Sequence, residues 1–494
     1  MQKLIKRYSW LFVLVCLVLC GCVSKDINQV SKNLSTYTMN IVYNNDHTLN
    51  IDSSVEYVNN TDTILNEICF HLYPRAFSEN AENKPISTLN FTKAYYNGKS
   101  NGDIVINSVK IQDVDANIEY LHNDKDILSV KVNDLKPNER VQIKMTYDVI
   151  LPNCNHRFGY GENTINVANF YPVACVYENG EFVCDPYHYN GDPFYTDMAN
   201  YSVTLTAPGN LVLATTGNVN STTTQDDVNI YKINAKCVRD YAFVLSEKFK
   251  VISSETNGVK VNYYYYKFAE PDKALKASVD SLKYYDKTFG KYPYNVLNVV
   301  ETNFVHGGME YPNLVYISDE VEQTADYINV IAHEIAHQWW YGIVGSNAYR
   351  YPWLDEGLTD YSTVLFYEAN PEYKVDTKAL ITNTMTSYST FVEVYTKVYG
   401  QVDTSMNRYI CDYPSETEHV YMSYVKGMLF YNSLRQVMGD KNFFKMLKTY
   451  VETYRYQNVT PEHLRAVCER VSGMDLEKFF DSWIGGSVQI IKTA

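Results

Sequence analysis

Two histidines four residues apart, His333 and His337, with Glu334 directly after the first, make NVIAHEIAHQWWYGIVG the most chemically pointed stretch of the chain. In a helix, residues i and i+4 share a face, so both imidazoles can reach one metal ion. Glu334 is then placed to hold and deprotonate a water at that ion. This is the HExxH spacing of zinc peptidases. A zinc hydrolase also needs a third protein ligand and a position left open for water. Glu356, in WLDEGLTDYS, follows His337 after eighteen intervening residues. That length lets a first helix end near Gly342 or Gly345, a loop pass through Arg350, Tyr351 and Pro352, and a second helix bring the carboxylate back beside the histidines. Asp360 lies one turn beyond Glu356, where it can accept the outer ring N–H of a histidine ligand and fix its tautomer. Ile335, Ala336, Trp339 and Trp340 mark the first helix as buried.

HEIAHQWW, the gap to Glu356 and GGMEYP at Gly307 to Pro312 together resemble the M1 aminopeptidases, the gluzincin family of aminopeptidase N and leukotriene A4 hydrolase. The likeness runs from FGKYP at Phe289 through SYVKG at Ser423 to FFDSW at Phe479, which is the whole second half. It implies one zinc ion on His333, His337 and Glu356, with Glu334 as general base and Asp360 supporting a ligand. It implies that Glu310, with Gly307, Gly308 and Met309, binds the free α-amine end of a peptide. The family's Gly-x-Met-Glu-Asn pattern ends here in Tyr311, and no motif in the first half supplies the second residue that usually assists the amine. Tyr424 matches the tyrosine of the family's Tyr-x-Lys-Gly motif, which stabilises the oxyanion; Tyr421, three residues earlier, is its competitor. The fold implied is α+β and multidomain, a saddle-shaped antiparallel β-domain followed by a mostly helical, thermolysin-like zinc domain.

The elements that must position these residues can be read in outline. Between residues 37 and 247, runs such as YTMNIVYNN, RVQIKMTYDVIL and NYSVTLTAP alternate in polarity between Asn, Asp, Gly and Pro, which predicts an antiparallel β-rich domain, with 151–199 as a long irregular excursion. Its histidines, His47, His71, His122, His156 and His188, lack metal spacing and read as structural or surface residues. From residue 248 to 494 the period becomes helical: PDKALKASVDSLKYYDKTFG starts on proline and stops at Gly290, NVLNVVET is a strand, and helices are expected around 372–391, 418–437, 440–454, 460–471 and 475–483.

With 494 residues, 46% hydrophobic and 20% charged, the chain is an ordered globular protein of more than one core. The 46 tyrosines have no fixed period and read as packing and sheet surface. A net charge of −14 argues against nucleic-acid binding. The start, MQKLIKR followed by an apolar run from Trp10 to Leu19, is a secretory signal, and Leu19-Cys20-Gly21-Cys22 resembles a bacterial lipobox. Residues 1–21 are then a lipoprotein signal peptide, Cys22 the lipidated residue, 22–36 a tether, and the body an extracytoplasmic protein held at the cell membrane. Cys69, Cys154, Cys175, Cys184, Cys237, Cys411 and Cys468 form no regular framework, although a Cys175–Cys184 bridge across the YENGEF turn is possible. The resulting expectation is a zinc metallopeptidase that removes N-terminal residues from peptides. The alternatives are an endopeptidase of the same chemistry and a lipoprotein that binds peptides without cleaving them.

Overall fold

The structure is a computed structural model that describes residues 26–488 and Ile490. The expected signal peptide and Cys22 lie outside the described residues. Among the described residues no helix is long and apolar enough to cross a membrane.

Strands from Ser35 to Ser246 build one eight-stranded and two four-stranded sheets around a single apolar core. Alternation creates this core: Ser35–Tyr43 buries every second side chain from Tyr37 to Tyr43, and Arg140–Ile150 does the same from Ile143 to Val149. The pairing is antiparallel with one exception. Ser35–Tyr43 runs parallel to Ala199–Pro208, which sets Tyr37 beside Tyr201 with the rings stacked at 5.1 Å. Many tyrosines serve such packing, as in the Tyr37, Tyr171, Tyr201 group.

Two expectations for this half need correction. The supposed tether is in part built structure: Ile27–Val30 is a helical turn, and Ile27, Val30 and Leu34 pack against Met198, Cys237 and Tyr456. The stretch 151–199 is not merely irregular; it contains the short strands Phe158–Tyr160, Ile165–Ala168, Val173–Ala174, Tyr177–Glu178 and Glu181–Phe182, and it carries site residues described below. The Cys175 and Cys184 sulfurs lie 3.9 Å apart, and both residues are free thiols.

From Lys250 a further, five-stranded sheet begins, in the order Lys250–Thr256, Val259–Tyr265, Val296–Thr302, Leu314–Ser318, Gly308–Met309. The last strand is an edge. Helices cover the sheet and share a second core with it. We label them α1 (Pro271–Phe289), α2 (Thr324–Ala336), α3 (Pro352–Ala369), α4 (Thr377–Tyr399) and α5 (Lys426–Met438). Helix α2 buries Tyr327, Ile328, Ile331, Ala332 and Ile335 at helical spacing, which holds it against α1 and the sheet. Helix α3 is buried on nearly every face and lies between α2 and α5, so its polar residues need internal partners.

A basic residue locks the two halves together. Arg239, 2% exposed, donates from Nε to the Tyr341 carbonyl and through its other nitrogens to Thr196 O and Gln457 O. Its neighbour Asp240 accepts the Tyr341 hydroxyl. Tyr341 has φ 137°, in the range that disfavours side chains, and such strain persists only where surroundings enforce it. The β-domain therefore clamps the chain just after the zinc helix.

Candidate metal and peptide site

Helix α2 ends at Ala336, earlier than the expected Gly342 or Gly345, with His337 as its cap in helical conformation. The His337 N–H still reaches the His333 carbonyl, so the i, i+4 relation survives at the helix end. Helix α3 starts on Pro352, a residue that fits a first helical turn, and brings Glu356 back as the spacing required.

The three ligand atoms converge. His333 Nε2 and His337 Nε2 are 3.2 Å apart, His337 Nε2 and Glu356 Oε2 3.1 Å, and His333 Nε2 and Glu356 Oε2 3.4 Å. Ligands about 2.0–2.1 Å from a tetrahedral zinc ion stand roughly 3.3 Å from one another, so the donor set and its spacing fit zinc. Both outer nitrogens are engaged: His333 Nδ1 lies 2.9 Å from Asp360 Oδ1, and His337 Nδ1 lies 2.9 Å from the Trp340 carbonyl. Donation from Nδ1 leaves both Nε2 lone pairs free for a metal. Asp360 has the place expected of it, whereas the Trp340 carbonyl was not foreseen.

Glu334 projects beside this triangle, 5% exposed, with its Oε2 unpartnered in the protein. Burial pushes its carboxyl up to about 7. The edge strand Gly308–Met309 runs directly over it: a β-carbon at Gly308 would collide with the Glu334 carboxyl, so a larger residue there would have to displace that side chain. Glu310 follows, also buried, and burial together with the neighbouring charge of Asp192 pushes its carboxyl well above the carboxylate range. Gln338 ties this loop to the end of α2, donating to Tyr311 O and accepting from Asn313 N. Tyr311, where the family has asparagine, sends its hydroxyl to Asn169 of the β-domain at 2.9 Å. The substitution is thereby absorbed into the contact between the halves.

Tyr424 donates its hydroxyl to Glu356 Oε1 at 2.6 Å. Two features aim it there. Residues Tyr421–Val425 form a π-turn, which breaks the α-helical offset between the two competing tyrosines. Gly427 lies against Gly357, where a β-carbon on either would meet backbone of the other at 2.6–2.8 Å, so α5 approaches α3 closely. Lys426 is buried and donates to Trp483 O, which anchors the C-terminal FFDSW segment. Tyr421 points elsewhere, stacked on Phe391 with its hydroxyl 3.0 Å from Ser387 Oγ. Tyr424→Phe is therefore expected to lower turnover by about a hundredfold or more, and Tyr421→Phe to leave it within about threefold, in steady-state kinetics with a free peptide. The reverse order would move the oxyanion role to Tyr421.

Sequence reasoning missed six residues around the cleft. Asp192 comes from the 151–199 excursion and pairs with buried Arg157. His156, read as structural or surface, is buried against Phe77 and Phe304 and also lines the cleft, as do Asn190 and His419. None has a spacing to betray it; only His306, directly before Gly307 and also at the cleft, sits beside a motif.

Comparison with known proteins agrees with this geometry. Residues 273–483 match the model of the Peptidase family M1 domain. Aminopeptidase M1-C of Oryza sativa subsp. japonica is 28% identical over 247 residues, covering 47% of this chain and 27% of that protein. Human endoplasmic reticulum aminopeptidase 2 is 26% identical over 247 residues, covering 45% and 24%. The chain thus spans about a quarter of the length of these relatives. Across both halves it shares the fold of the M1 zinc metallopeptidase from Deinococcus radiodurans, with TM-score 0.63 and 15% identity over 92% of this chain and 94% of that one. A variant of that protein has been solved bound to a Tyr-Ser-Ala substrate.

Proposed function

We propose that this chain is a zinc-dependent aminopeptidase that removes the first residue from peptides. The observation that carries the reading is the convergence of His333, His337 and Glu356 beside Glu334, over which the edge strand Gly308–Met309 runs on into Glu310. Zinc held by the three ligands supplies a Lewis acid for the scissile carbonyl and for the attacking water. The edge strand Gly308–Met309 pairs with Leu314–Ser318 on one side only, so its other side offers backbone groups to an extended peptide. Glu310, which shares its surroundings with Asp192, accepts a hydrogen bond from the substrate's ammonium group, whose positive charge favours the ionised carboxylate, and stops the peptide there. Glu334 takes the proton of the attacking water and passes it to the leaving amine. The Tyr424 hydroxyl, already turned to the ligand cluster, donates to the oxygen that becomes negative.

The amine contact separates this reading from an endopeptidase. Free tripeptides are expected to be cleaved at least about a hundredfold faster than their N-acetylated forms, read by chromatography of products. Equal cleavage of both would leave the zinc chemistry and remove the exopeptidase assignment.

The location follows from the leader alone. The lipobox-like Leu19-Cys20-Gly21-Cys22 supports lipid anchoring at Cys22 on the outer face of a bacterial membrane, with peptides as the partners and no nucleic acid. Cys22→Ser should shift the protein from the membrane fraction to the soluble one and lower its mass by the lipid, measured by fractionation and mass spectrometry. A variant that stayed in the membrane would point to an uncleaved anchor.

A further inference from the structure

The wall of the peptide cleft carries an acidic side chain whose charge the described residues leave unbalanced. Glu416, the first residue of the short helix Glu416–Val420, borders a cavity of about 220 Å³ together with His306, Gly307, Gly308 and Tyr424. Its side chain keeps 19% of its surface exposed, so a bound peptide can reach it. The carboxylate is aimed rather than loose: Asn90 of the β-domain donates from Nδ2 to both of its oxygens, at 3.1 and 3.3 Å. We propose that, on the aminopeptidase reading above, Glu416 determines specificity by selecting peptides with arginine or lysine at the second or third position.

The direction of the substrate brings its later residues there. With the ammonium group at Glu310 and the scissile carbonyl beside Glu334, which lies under Gly308, the peptide runs antiparallel to the edge strand Gly308–Met309. The residues behind the scissile bond then pass Gly307 and His306, which share the cavity with Glu416. Distance agrees. Glu416 precedes Tyr424 by eight residues of continuous helical backbone, about 12 Å. From the carbonyl held at Tyr424, two residues of extended peptide cover about 7 Å, and the stem of an arginine or lysine bridges the remainder.

The electrostatics favour a cation. Among the described residues the one ion-pair contact of Glu416 is His306, whose Nδ1 lies 3.8 Å away. Burial and the neighbouring Arg157 hold His306 down to about 4, so near neutral pH its ring is uncharged and does not balance the carboxylate. Other cations along this wall are committed: Arg157 pairs with Asp192 and Lys93 with Glu320. Asn90 takes up part of the acceptor capacity of each Glu416 oxygen and leaves the rest, which suits the paired N–H groups of a guanidinium. An acidic side chain there meets like charge, and an apolar one gains no partner. The net charge of −14 draws the same class of peptide to the protein.

The test uses the full, zinc-loaded chain and four-residue peptides with Ala first and Arg, Ala or Glu at the second or the third position. The kcat/KM is expected to be at least about fivefold higher for the better Arg peptide than for all-Ala and lowest for Glu, with the Arg advantage shrinking as salt is raised. Glu416→Gln keeps an acceptor for Asn90 and loses the charge, so the Arg-to-Ala ratio should fall to within about twofold, and Glu416→Lys should turn the preference towards Glu. Zinc content and melting temperature verify that each variant is folded. A ratio that Glu416→Gln leaves unchanged, as expected of a residue that merely joins the two halves, overturns the proposal. Arg and Ala peptides cleaved equally by the wild type overturn it even if neither variant folds, while aminopeptidase activity stands. Cleavage of none of the peptides overturns the aminopeptidase reading and the proposal with it.

Discussion

Glu334→Gln is expected to keep the metal and lose peptide hydrolysis by about a thousandfold or more, equivalent to about 4 kcal/mol of transition-state stabilisation. The amide has the shape of the carboxylate and so fits beneath Gly308, which packs directly over the Glu334 carboxyl. It cannot accept a proton. Because Glu334 is absent from the ligand triangle, metal analysis should read the same stoichiometry for variant and wild type. Its Oε2 makes no hydrogen bond within the protein, so substitution breaks no structural contact there, and the melting temperature should change little. Activity within tenfold of wild type would remove Glu334 from the role of base.

His337→Ala is expected to abolish both metal binding and hydrolysis. His337 is 1% exposed and contributes two of the three short edges of the ligand triangle. Without it, His333 and Glu356 remain as a pair, too few to hold zinc in a closed site. The metal content should fall below about a tenth of an ion per chain, and activity should disappear from a peptide assay. Some loss of stability accompanies the change, because the ring also holds the Trp340 carbonyl at the end of α2. Full metal content in a folded His337→Ala chain would require a different ligand set.

The metal site was legible because its members lie on two helices of predictable period. The i, i+4 spacing of His333 and His337 survives the early end of α2, and Asp360 follows Glu356 by one turn on the same face. Tyr424 was preferred to Tyr421 on its Tyr-x-Lys-Gly motif alone; the geometry that separates them was not legible, since an offset of three assumes an α-helix and the π-turn at Tyr421–Val425 violates it. Asp192, Arg157, His156 and Asn190 were illegible for another reason: they reach the cleft by long-range packing of an excursion whose short strands carry too few residues for a period. The strained Tyr341, clamped by Arg239 and Asp240, is likewise a product of contact between the halves.

Metal dependence tests the account at its centre. The purified chain, stripped with a chelator and assayed for release of the first residue from a free tripeptide, is expected to lose activity completely and to regain it on titration with zinc, saturating at one ion per chain. Hydrolysis that persists in the stripped protein, or zinc bound at one equivalent without any return of hydrolysis, would contradict it.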